Sequence, residues 1–201
     1  MGKKAREERE EKRESFASKR TRQKRKNLLM IAGVLGVVAV IVGYSAYTFV
    51  NLQGAVPGAP PGAGTLGDEH EHIAILVSIH GDKFDFSLPS YQIKSSWIHF
   101  EGSDGDTIHR HASGVTMGYL FETLRIVLTD ECFAFQSQQG ERDFCTNDDY
   151  SLKFFINHRQ VPSILDYVGQ EDDRILISYG GESPEEIEKQ LQELDSQAII
   201  R

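Results

Sequence analysis

Six of the seven histidines lie between residues 70 and 111, as His70-x-His72, His80, His99 and His109-x-His111. Glu101 follows His99 by two residues. In an extended strand, residues i and i+2 share a face, so each His-x-His pair would present two imidazoles side by side. Trp97–Ala112 reads WIHFEGSDGDTIHRHA. Ser103-Asp104-Gly105 suits a three-residue hairpin loop with Gly105 in the left-handed position. That loop pairs Gly102 with Asp106, sets Glu101 opposite Thr107 and His99 opposite His109, and leaves His111 on the same face. A loop of two or four residues would put His99 and His109 on opposite faces, so the loop decides whether a cluster exists.

With His70 and His72 alongside, five imidazoles and one carboxylate would converge. The expected metal ligands are His70, His72, His99, Glu101, His109 and His111. Imidazole suits Zn, Cu, Ni and Fe, and three histidines with an open position suit zinc or copper. No cysteine lies in the cluster and Met117 is the nearest thioether, which argues against a blue-copper arrangement. Glu101 fits a ligand, a supporting hydrogen-bond partner or a proton acceptor. The competing readings are half-exposed strand histidines with no special role, and a metal-free patch that repels itself when protonated. His80 and His158 fall in turns and read as solvated.

The elements that would carry this cluster are mostly strands. His72–Ile79, Phe84–Phe86, Ser96–Glu101, Thr107–Ala112, Val127–Gln136, Asp143–Thr146, Leu152–Asn157 and Arg174–Tyr179 carry strand patterns separated by turn residues. Thr116–Arg125 spaces Met117, Leu120, Phe121 and Leu124 as one helix face. Ser183-Pro184-Glu185-Glu186 begins a helix: Ser183 caps, Pro184 takes the first position and Glu186 completes a capping box. That helix is expected to reach Ile200 and to dock weakly or project. The fold class is α+β, mainly antiparallel β, with one N-terminal transmembrane helix and a C-terminal helix.

Cys132 and Cys145 would face each other across a hairpin around Gln136–Glu141, closing a disulfide. There is no Cys-x-x-Cys, so thiol–disulfide catalysis has no support. Asp148-Asp149 and Asp172-Asp173 lack calcium-loop spacing and read as solvated turns.

The rest of the chain sets the location. Leu28–Val50 is 23 residues without a charge, about 34 Å as a helix, enough for a ~30 Å hydrocarbon core. It is longer than a signal-peptide core and no good cleavage site follows, so an uncleaved signal anchor is expected. Residues 1–27 hold 12 Lys+Arg against 5 Asp+Glu, a net of +7, whereas the rest of the chain is −15. The basic flank puts residues 1–27 in the cytoplasm and the remainder outside. An acidic outer domain is a poor nucleic-acid partner. Gly54–Gly67 holds five glycines and three prolines and reads as a flexible spacer of roughly 20 Å. The expected organisation is a basic tail (1–27), a span (28–50), a linker (51–67), an outer domain (68–182) and a final helix (183–201).

HEHIAILVSIHGDKFDF, WIHFEGSDGDTIHRHASGVTMGYLFETL and LKFFINHRQVPSILDYVGQEDDRILISYGG together resemble a family of small membrane-anchored His-rich proteins of ammonia-oxidising archaea. The likeness covers residues 68–181. It implies an archaeal cell-surface setting but supplies no reaction; members are loosely labelled protein-disulfide isomerases. Separately, FFINHRQVPSILDYVGQEDDRILISYGG looks like the closing part of a β-grasp fold. In its sulphur-carrier members the paired glycine ends the chain, whereas here 20 residues follow Gly181. The leading expectation is therefore an anchored copper- or zinc-handling domain. Its alternatives are an interaction module docking on a membrane complex and, with least support, a metalloenzyme.

Overall fold

The computed structural model describes residues 2–51 and 58–201 and divides into two units, 1–56 and 57–201. The described residues of the first unit form one helix, α1 (Gly2–Asn51), which carries the basic tail as well as the apolar stretch. Within it, Arg22–Tyr47 contains an 18-residue window of mean hydropathy 2.4, none of it buried. At 1.5 Å per residue these 26 residues extend about 39 Å, long and apolar enough to cross a membrane. Apolar side chains cover all sides of this stretch, so no single face is made for a protein core.

The second unit is built on β1 (Glu71–Ile79) and β10 (Arg174–Gly180), which run parallel from Ala74↔Arg174 to Ile79↔Tyr179. On the β1 side, β4 (Thr107–Arg110) pairs antiparallel and β3 (Ile98–His99) follows. On the β10 side, β8 (Ser151–Ile156) and β9 (Arg159–Val161) form an antiparallel hairpin. β2 (Asp82–Lys83) folds back on the end of β1. A separate three-stranded sheet joins β5 (Val127–Leu128), β6 (Cys132–Ser137) and β7 (Gly140–Cys145). The helices are α2 (Met117–Thr123) and α3 (Pro184–Ser196). The mixed α+β class with mostly antiparallel sheets is as expected.

β1 does not alternate between buried and exposed: its seven interior residues are all buried. The reason is that both faces of the sheet are covered. Ile73, Ile75 and Val77 join a core with α2, Phe86 and Phe133, whereas Ala74 and Leu76 pack with Leu176 and Phe155 beneath α3. α3 therefore docks firmly, contrary to the sequence expectation, with Leu191 and Leu194 buried. Burying two such side chains is worth about 1.5–3 kcal/mol each. Its capping box is formed as expected, but the helix ends at Ser196, where Gln197 turns extended.

Cys132 and Cys145 are directly opposite on β6 and β7, with Cα atoms 4.0 Å apart, and are joined as a disulfide. Part of the expected spacer, residues 52–57, lies outside the described residues. From residue 58 the segment is packed rather than free. Pro60 is buried, and Gly64 and Gly67 donate N–H bonds to the carbonyls of Ser113 (2.8 Å) and His111 (2.6 Å). A glycine on each side permits the close approach: a Cβ on Gly64 would collide with the Ser113 hydroxyl, and one on Gly114 with the Gly62 carbonyl.

Candidate metal centre

The register of three neighbouring strands assembles the histidines. β3 sets His99 opposite His109, and β1 sets His72 opposite His109. The three imidazoles thus form a row across the sheet. They lie on the face opposite Ile73, Ile98 and Ile108, whose side chains belong to the core on the α2 side. His70 and His111 extend the row at its end, with ring centroids 4.5 Å apart. His111 stacks on His99 at 4.9 Å, and His72 stands edge-on to His109 at 5.0 Å. All five expected histidines and Glu101 are therefore neighbours.

The hairpin that achieves this differs from the expected one in detail. Gly102 and Ser103, not Gly105, take positive φ, and Asp104 N–H closes a turn on the Glu101 carbonyl at 3.0 Å. Gly105 is needed for another reason: a Cβ there would lie 2.5 Å from the backbone nitrogen of Ser87. The register is the same in either case, so the cluster forms.

Within the cluster the rings are not equivalent. One nitrogen from each of His70, His72 and His109 lies within 4.8 Å of the others. His72 directs Nδ1 to Glu171 Oε2 at 3.1 Å, and the same oxygen accepts the His72 backbone N–H at 2.7 Å. Its other nitrogen, Nε2, is buried without a hydrogen-bond partner among the described residues. His109 is 3% exposed and its Nδ1 is likewise buried and unbonded, with Glu101 Oε1 3.7 Å away, beyond hydrogen-bond reach. His70 is exposed.

His99 is engaged otherwise. Its Nδ1 lies 2.7 Å from the Ser95 carbonyl and its Nε2 3.1 Å from Glu101 Oε2, leaving neither nitrogen for an ion. Glu101 thus serves His99 first. His111 supports the patch through its ring contacts. Met117 is buried in the core, and His80 and His158 are exposed as expected, against Tyr150 and Asp195 respectively.

The electrostatics favour the neutral form of His109 and His111. Burial depresses His109, opposed by the Glu101 charge. Burial and then the neighbouring His99, His70 and His109 push His111 down to about 4. The His99 hydrogen bond holds the Glu101 carboxyl below the usual range. For Glu171, burial works against the charge, but bonds from His72 and Arg201 prevail and lower it. Neutral imidazoles keep the lone pairs that a metal requires.

In a tetrahedral site with bonds of ~2.05 Å, ligand nitrogens sit about 3.3 Å apart. Closing 4.8 Å to that separation requires a ring to swing, and the exposed His70 has room to do so. The unbonded, buried nitrogens of His72 and His109 and the carboxylate behind His72 match a metal-binding imidazole set with its outer partner.

Reading the sequence does not find Glu171; it takes the adjoining Asp172-Asp173 for a solvated turn. Asp173 is in fact buried, bonded by Tyr167 Oη and Asn157 Nδ2. Glu171 lies 99 residues from His72 and has no local motif. Comparisons with family models, curated protein sequences and solved structures give no match.

Proposed function

We propose that residues 58–201 form a domain that binds one copper or zinc ion through His70, His72 and His109, anchored to a membrane by α1. The carrying observation is the pair of buried ring nitrogens, His72 Nε2 and His109 Nδ1, left without hydrogen bonds beside a third imidazole. An unsatisfied buried polar atom costs about 1–3 kcal/mol, a penalty that a bound ion would remove at each such nitrogen it coordinates. The role that fits is metal handling, as a chaperone, store or accessory factor.

The basic flank before the apolar stretch supports a cytoplasmic N-terminal side and an outward-facing domain. The Cys132–Cys145 disulfide is in keeping with an oxidising compartment. The likeness to membrane-anchored His-rich archaeal proteins supports the same setting. The order β4-β1-β10-β8-β9, with a parallel central pair and α2 following β4, supports a β-grasp-like reading of the domain.

The test is elemental analysis and titration with Zn2+ and Cu2+ of the tag-free full chain in detergent. One equivalent is expected, and His72→Ala or His109→Ala should weaken binding by at least about 100-fold. A chain that takes up neither metal, or variants that bind as tightly as the native chain, would refute the proposal.

A further inference from the structure

The segment after α3 is tied to β4, which carries His109, and to the loop that holds His72 on β1. The Ile200 N–H bonds Thr107 Oγ1 at 3.1 Å, two residues before His109 on β4. Arg201 Nε bonds Glu171 Oε1 at 3.0 Å, and its Nη2 bonds Asp172 Oδ1. Both carboxylates belong to the loop that holds His72. Glu171 takes the His72 ring and backbone N–H, while the Asp172 N–H donates to the His72 carbonyl at 2.9 Å. One guanidinium therefore bridges the two residues that hold His72 by its ring, its amide and its carbonyl.

We propose that Arg201 is a positioning residue for the metal site, acting through Glu171 to fix the ring of His72. The inference rests on the metal-binding reading above. With Glu171 Oε1 held by Arg201, Oε2 stays aimed at His72 Nδ1. That keeps the proton on Nδ1 and the lone pair on Nε2, where an ion needs it. A carboxylate free of Arg201 rotates, and His72 then samples both tautomers. The Arg201 side chain is 57% exposed, so its ion pairs alone add little to stability. Its effect is on ligand geometry. Carboxylates bonded directly to a ligand imidazole are worth about 10–100-fold in affinity, and one step further out about threefold to tenfold is expected.

The experiment measures Zn2+ affinity of the full chain in detergent by chelator competition, in a double-mutant cycle. Arg201→Ala should weaken binding about threefold to tenfold alone and cause no further loss in a Glu171→Gln background. Arg201→Lys should recover part of the loss. Nitrogen-15 NMR should show one His72 tautomer, protonated at Nδ1, in the native chain and a mixture in Arg201→Ala. Unchanged affinity in Arg201→Ala, or an equal loss with and without Glu171→Gln, overturns the inference. His72→Ala separates the two claims: undiminished binding there sinks the metal reading itself. Lost binding there, with Arg201→Ala binding as native, sinks only the role of Arg201.

Discussion

His109 and Arg110 are consecutive on β4, at 3% and 0% exposure, and face opposite sides of the same sheet. On its side Arg110 is nearly satisfied: Nε bonds the Gly169 carbonyl at 2.9 Å, and Nη1 bonds the Ala112 carbonyl and Glu69. Only Nη2 lacks a partner. On the other side His109 buries Nδ1, which lies 3.7 Å from Glu101 Oε1 and bonds nothing among the described residues. A buried cation with an ion pair and two carbonyls is a joint between strands. A buried imidazole with an unbonded nitrogen beside other imidazoles is what the proposed metal site would draw on. Burial alone does not separate the two; the hydrogen-bond inventory does.

The largest effect expected from testing this contrast is on the Arg110 side. Arg110→Ala orphans two carbonyls and the Glu69 charge, so it should cost about 3–5 kcal/mol in denaturant unfolding. Any change in metal uptake should then follow folding. Next, His109→Leu should change metal-free stability by less than about 1.5 kcal/mol, because an unbonded ring is replaced by an apolar group of similar size. The same variant should lose the rise in melting temperature that Zn2+ gives the native chain. An equal rise in both would dissolve the contrast.

A smaller effect concerns pH. The His111 ring titrates near 4 in the fold and near 6.5 unfolded, so between these values the unfolded chain takes up a proton the folded domain resists. Metal-free stability should thus hold above pH 6.5 and fall as pH drops towards 4. His111→Ala should flatten that fall, and identical melting profiles for the two would remove the electrostatic account. Smallest of all is His158→Ala. Its exposed pairing with Asp195 should be worth under about 1 kcal/mol, and its metal affinity should match the native chain within error.

The histidine row was legible because period-two spacing and a short loop fix strand register, and the His99↔His109 pairing came from residue types alone. The inner geometry of that loop was not. Gly105 was read as a turn residue, but a contact with Ser87, 18 positions earlier, is what requires it. The buried second face of β1 was also hidden, since Ala74 and Leu76 meet α3 only after the chain crosses to β10. Long-range pairings such as His72–Glu171 and Arg110–Glu69 leave no local trace, because an acid in a turn looks the same with or without a distant partner. The disulfide was readable because two cysteines across one hairpin have only each other.

The exposure of His70 has a kinetic consequence. Of the three imidazoles that would hold an ion, two are locked in place by the sheet and one can let go without disturbing the core. An ion seated there would be tethered firmly at the back and loosely at the front. An incoming donor could take the place of His70 before the other two bonds break, so hand-over could be quick even where retention is strong.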